Sequence, residues 1–120
     1  MNIGIIAHNA KKDLIEDFCI AYKKRLERHR IIATGTTGRR IEEIVKIPVT
    51  KFLPGSMGGD RQFIAQIERG DIDAVIFFYN PYMNKTTEPD VDEITRLCDL
   101  YNIPIATNIG TAEVLVLSIL

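Results

Sequence analysis

The amino-acid sequence predicts an α/β protein, a single doubly wound domain with a mostly parallel five-stranded sheet flanked by helices. Three observations predict it. Short, nearly continuous apolar runs recur five times, as expected of strands covered on both faces. Segments with apolar residues at helical spacing separate them. The residues just after each run are polar and often glycine-rich, which suits the ligand-binding edge of an open parallel sheet. The chain has 120 residues, the length of one domain, and its 46% hydrophobic and 26% charged residues are ordinary for a globular core.

Taken in order, Ile3 to Ala7 form the first strand, ending at His8. Ile15, Cys19, Tyr22 and Leu26, widened by Leu14 and Phe18, then mark an amphipathic helix over about 10–28. Ile31-Ile32-Ala33 is a second strand that breaks into the loop Thr34-Gly35-Thr36-Thr37-Gly38. After that loop Ile41, Ile44 and Val45 mark a shorter helix, which Pro48 stops. Val49, Phe52 and Leu53 suggest a short strand before the glycine-dense turn Pro54 to Gly59 and a helix over 60–69, closed by Gly70-Asp71. Ala74 to Phe78 is the clearest buried strand. Asp90 opens a helix with Val91, Ile94, Leu97, Cys98 and Tyr101 inward, Ile103 to Ala106 form a last strand, and Thr111 onward is an apolar final helix. That helix is expected to be a core element, with a subunit contact or a missing tail as the alternatives.

Composition excludes several function classes. With 15 Lys+Arg against 16 Asp+Glu the net charge is −1, so neither nucleic acid nor an anionic membrane is expected as a partner. The basic run from Lys23 to Arg30 reads as the solvated face of a helix. Cys19 and Cys98 stand in no metal-ligand or redox spacing and are expected as buried thiols, and His29 is assigned a structural role. No signal peptide opens the chain and no apolar stretch approaches the ~18 residues of a membrane span, so a cytoplasmic protein is expected.

The chemistry should sit past the strand ends. The Thr34–Gly38 loop offers backbone N–H groups, hydroxyls and a helix N-terminus to an anion, although a plain Thr/Gly helix cap fits the same residues. It is neither a Walker A sequence nor a dinucleotide fingerprint. Lys12 can add a cation to that anion or be an ordinary surface lysine. Asp60, after Gly58-Gly59, and Asp90, after Pro89, each suit a general base or a simple helix cap. His8 can donate to a substrate oxygen or orient a carboxylate. Two carboxylates, one threonine-glycine cradle and few cations point to proton abstraction from a small phosphorylated substrate and not to hydrolysis by metal, since no cluster has convincing metal-ligand spacing.

Taken jointly and in order, Ile6-Ala7-His8, Ala33 to Gly38, Gly55 to Asp60, Phe77-Phe78 with Asn80-Pro81, Glu88 to Val91 and Pro104 to Asn108 resemble the methylglyoxal synthase family over nearly the whole chain. The resemblance implies a cytoplasmic homohexamer that converts dihydroxyacetone phosphate to methylglyoxal and inorganic phosphate without metal or organic cofactor. It implies Asp60 as the base that forms an enediolate, and His8 and Asp90 as further catalytic positions. It implies His8, Lys12, Thr34, Gly35, Thr36, Thr37, Gly55 and Ser56 as the substrate and phosphate site. Three positions depart from the family pattern: Asn9 and Asn80 stand where aspartates are usual, and Thr87 stands where the family has a histidine. The chain also stops before the family's arginine-bearing tail. A non-catalytic, phosphate-ligand-binding regulatory domain, as this fold forms in carbamoyl-phosphate synthetase, is the alternative. The enzyme is favoured because a binding module has no need of a carboxylate at Asp60 facing a phosphate.

Overall fold

Alternation along the first strand decides the layering. In the computed structural model, which describes residues 1–52, 59–82 and 89–120, strand β1 (Asn2–Ala7) points Ile3, Ile5 and Ala7 to one face and Ile6 to the other. Four more strands flank it: β2 (Arg30–Thr34), β3 (Val49–Phe52), β4 (Ala74–Phe78) and β5 (Ile105–Ala106). All pairings are parallel, in the order β3-β2-β1-β4-β5, with Ile3 beside both Ile31 and Ala74. The chain therefore winds outward one way from β1, then returns and winds the other way from β4. The topological switch point lies between β1 and β4, where open sheets part to admit a ligand.

Helices α1 (Lys12–Ala21), α2 (Lys23–Leu26), α3 (Gly35–Val45), α4 (Gly59–Glu68), α5 (Val91–Leu100) and α6 (Ile109–Ile119) complete the fold. One core joins Ile5, Ile31 and Ile76 to Phe18 of α1, Ile41 of α3 and Val116 of α6. The other joins Ile6, Ile32 and Phe77 to Phe63 of α4 and to Ile94 and Cys98 of α5. Gly4 is required by this second core: a Cβ there stands 2.2 Å from Phe63 Cζ, so the strand must be bare for the ring to lie on it.

The doubly wound expectation holds, and several details differ from the sequence reading. The helix expected over about 10–28 is divided at Tyr22, whose ψ of 22° leaves the helical range, and a 3₁₀ turn at Asn9–Lys11 precedes it. Tyr101, expected inward, is 43% exposed, and Ile44, one of the apolar positions that mark α3, is 48% exposed, because each sits just off the stripe that meets the sheet. Strand β5 is reduced to two residues and α6 begins at Ile109, two residues earlier than expected. The expectation that α6 is a core helix holds for Ala112 and Val116, with Leu115 partly buried against the same core, whereas Val114 and Leu117 are 65% and 56% exposed. His29 does bind structure, its ring nitrogens meeting the Met1 amine at 3.1 Å and the Leu120 carbonyl at 3.4 Å. Among the described residues no helix is long and apolar enough to cross a membrane.

Candidate functional site

Because every strand is parallel, the carboxyl ends of all five strands share one edge of the sheet. The positive half of that edge is built by α1 and α3. The Thr34–Gly38 segment is not a loop: Thr34 ends β2 in an extended conformation and the helix starts at Gly35, so residues 35–38 are the first turn of α3. Its first-turn N–H groups lack carbonyl partners within the helix and point past the strand end. Thr34 makes no side-chain cap bond to these groups, which leaves the plain-cap reading without its defining contact. Thr36 lies in the same turn, half-buried.

Lys12, the first residue of α1, reaches into this turn. It is 8% exposed, and its ammonium donates to the Ala7 carbonyl at 2.9 Å and to Thr37 Oγ1 at 2.8 Å. A buried ammonium hydrogen-bonded to main chain and hydroxyl sits in a low-dielectric setting where its charge acts strongly on an incoming anion. This is a built cation, not the surface lysine of the bland reading.

The carboxylate half belongs to α4 and α5. Asp60 lies in the first turn of α4, half-buried, with Oδ1 accepting from the Arg61 N–H at 2.9 Å. Asp90 is the N-cap of α5 and accepts from the Asp92 N–H at 2.9 Å. An ion pair between Arg61 and Glu93, 3.3 Å long, ties the two helices near these ends. Both carboxylates thus sit where a helix dipole favours negative charge.

His8 stands at the switch point between the halves, 3% exposed. Its Nδ1 accepts from the Asn80 N–H at 2.9 Å, and Nε2 lies 2.7 Å from the Pro89 carbonyl. A carbonyl only accepts and an amide N–H only donates, so the ring is the Nε2–H tautomer with both nitrogens on main chain. Of the two roles read from the sequence, donation to a substrate oxygen has no ring nitrogen left for it here. Orientation remains: the ring ties the end of β1 to the segment after β4 and to the residue before Asp90. Edge-on packing against Phe77, with centroids 5.3 Å apart, fixes its plane.

Gly55, Ser56 and Thr87 lie outside the described residues. Thr107 and Asn108, past β5, line a separate cavity of about 240 Å³ with Lys11 and Tyr79. Asn108 is occupied in capping α6. The cysteines are buried and free. Burial, then Glu16, pushes the Cys19 thiol up to about 12, and burial, then Asp99, pushes Cys98 up to about 11, so neither is a nucleophile at neutral pH. Among the described residues no group of His, Cys, Asp and Glu is placed to hold a metal ion.

The sequence reading missed the polar contact between α1 and α3 beyond Lys12. Arg40 of α3 pairs with Asp13 at 2.8 Å and also with the buried Glu16 of α1. The signal was present in spacing: Glu16 follows Lys12 by four residues and Arg40 follows Thr37 by three, which puts each pair on one helix face.

The doubly wound fold and its sequence place the chain in a defined class: residues 15–107 match the family model of the MGS-like domain, and the chain belongs to that family. Its relatives carry a more particular name. The methylglyoxal synthase of Listeria welshimeri is 53% identical over 116 residues, covering 97% of this chain and 87% of that protein. That of Caldicellulosiruptor saccharolyticus is 52% identical, covering 97% and 82%. The crystal structure of methylglyoxal synthase from Elizabethkingia anophelis matches with a TM-score of 0.93 at 36% identity, over 98% of this chain and 78% of that one.

Proposed function

We propose that the protein is a methylglyoxal synthase, a lyase that expels phosphate from dihydroxyacetone phosphate. The observation that carries the reading is the buried Lys12 ammonium bonded to Thr37 at the first turn of α3, a pairing that suits an anion; Asp60 opens another helix of the same fold. Relatives at about half identity over nearly the full chain support it.

In this reading the phosphate lies on the turn Thr34, Gly35, Thr36, Thr37, with Lys12 and, beyond the described residues, Gly55 and Ser56. Asp60 takes a proton from the hydroxymethyl carbon beside the carbonyl, and the electron pair moves onto the carbonyl oxygen as an enediolate. The enediolate then collapses: the hydroxyl on the former hydroxymethyl carbon passes its proton to the neighbouring enolate oxygen and becomes the aldehyde carbonyl, while the carbon–carbon double bond shifts to the phosphate-bearing carbon. The C–O bond to phosphate breaks, and phosphate takes up the proton held by Asp60. The enol released takes up a proton at its terminal carbon and becomes methylglyoxal. Phosphate departs with the bond's electrons, and the α3 N–H groups together with Lys12 stabilise that growing charge. Asp90 serves as the second carboxylate at the rim. His8 acts through the main chain at Asn80 and Pro89, which sets where Asp90 starts its helix. No metal or organic cofactor is assigned a role. Cytoplasmic residence and a homohexamer belong to the same proposal, and the exposed Val114 and Leu117 of α6 offer an apolar surface for self-association.

Incubation with dihydroxyacetone phosphate tests the reading, with methylglyoxal and inorganic phosphate quantified together. Equal molar release is expected. Phosphate-dependent thermal stabilisation without any product would instead identify a regulatory binding domain.

A further inference from the structure

The contact between α1 and α3 is a two-rung polar ladder. The upper rung is Lys12 to Thr37. The lower rung is Glu16 to Arg40, with Asp13 on the flank. Lys12 and Glu16 are each 8% exposed and four residues apart on one helix, so their side chains share a face. Glu16 Oε1 is shut off from solvent, and a carboxylate in that position must find a cation or go uncompensated. Arg40 meets it across the interface, and Lys12 stands one turn earlier on its own helix, the spacing at which two side chains are neighbours. In this structure Arg40 holds it, and the hydrogen bonds that the guanidinium donates to Glu16 first and Asp13 second keep it above its ordinary range.

We propose that Arg40 is a positioning residue for anion binding, holding the Glu16 carboxylate on the α3 side so that it does not become the counter-ion of Lys12. The inference rests on the reading of Lys12 and the first turn of α3 as the phosphate site. A carboxylate moved beside Lys12 would neutralise the ammonium and repel the anion. Phosphate affinity is therefore set one helical turn below the site, by a pair that touches no substrate.

The test measures the dissociation constant of inorganic phosphate by calorimetry, and KM and kcat for dihydroxyacetone phosphate, in Arg40→Gln, Glu16→Gln, the double variant and Lys12→Met. Arg40→Gln strands Glu16 beside Lys12, and both the phosphate Kd and KM should rise about tenfold while kcat stays within about threefold. Glu16→Gln should bind phosphate as tightly as the parent or more tightly. The double variant should recover to within about threefold of the parent. A purely structural role for the pair reverses the signs: Glu16→Gln weakens binding, and the double variant is no better than Arg40→Gln. Either result overturns the proposal. Should Arg40→Gln not fold, Glu16→Gln alone still decides by the direction of its change. Unaltered phosphate binding in Lys12→Met would instead remove the phosphate site from this turn, and with it the reading on which the inference depends.

Discussion

The two sides of the switch point are built in opposite ways. On the α1 and α3 side the charge is buried: Lys12 and Glu16 are each 8% exposed, and side chains bond to side chains across the helix interface. On the α4 and α5 side the carboxylates lie at helix starts and bond to main-chain N–H groups one or two residues on, while the ion pair from Arg61 to Glu93 has its arginine side chain 73% exposed. The difference fits two tasks. A site that must attract an anion gains from a cation in a low dielectric. A carboxylate that must give and take protons gains from contact with water and from bonds that leave its second oxygen for chemistry.

The largest effect should come from Asp60. Replacing it by Asn should lower kcat by about 10²–10⁴ while leaving the phosphate-dependent rise in Tm intact or larger, measured by product release and thermal unfolding in parallel. Joint loss of turnover and phosphate stabilisation would show that the two halves are not separable. Lys12→Met comes next: loss of a charge-assisted contact of about 1.5–3 kcal/mol should raise KM ten- to a hundredfold, read from initial rates, with a smaller change in kcat. The carboxylate half depends on packing beneath it. Gly4→Ala should destabilise the protein by about 1–3 kcal/mol in urea unfolding, because the new methyl meets the Phe63 ring of the Asp60 helix. Unchanged stability would mean that the ring can leave β1 without loss. Smallest of all, Arg61→Gln should cost less than about 1 kcal/mol and leave KM unchanged, since a surface ion pair contributes little. Comparable effects from Arg61→Gln and Arg40→Gln would erase the distinction between the buried and exposed pairs.

Much of this was legible in the amino-acid order. Burial on both faces writes continuous apolar runs, so β1, β2 and β4 and the α/β alternation could be read directly. Lys12, Thr34, Asp60 and Asp90 were singled out because strand ends are where such sheets bind ligands. The break at Tyr22 and the helical start at Gly35 were not legible, since element boundaries turn on a few backbone angles that composition scarcely constrains. The outward Ile44 and Tyr101 show the same limit: an apolar residue at the margin of a helical stripe can face either way until the neighbouring layer is placed.

By itself, then, the sequence determined the fold class and the polar residue types that follow the strands, because apolar period and turn chemistry are local properties. Only the tertiary structure decided what each polar group is bonded to. It gave Glu16 to Arg40, seated Lys12 on Thr37, and committed both nitrogens of His8 to main chain 72 and 81 residues away. Those pairings depend on which helices the parallel crossovers bring side by side, and a linear order of residues does not contain that distance.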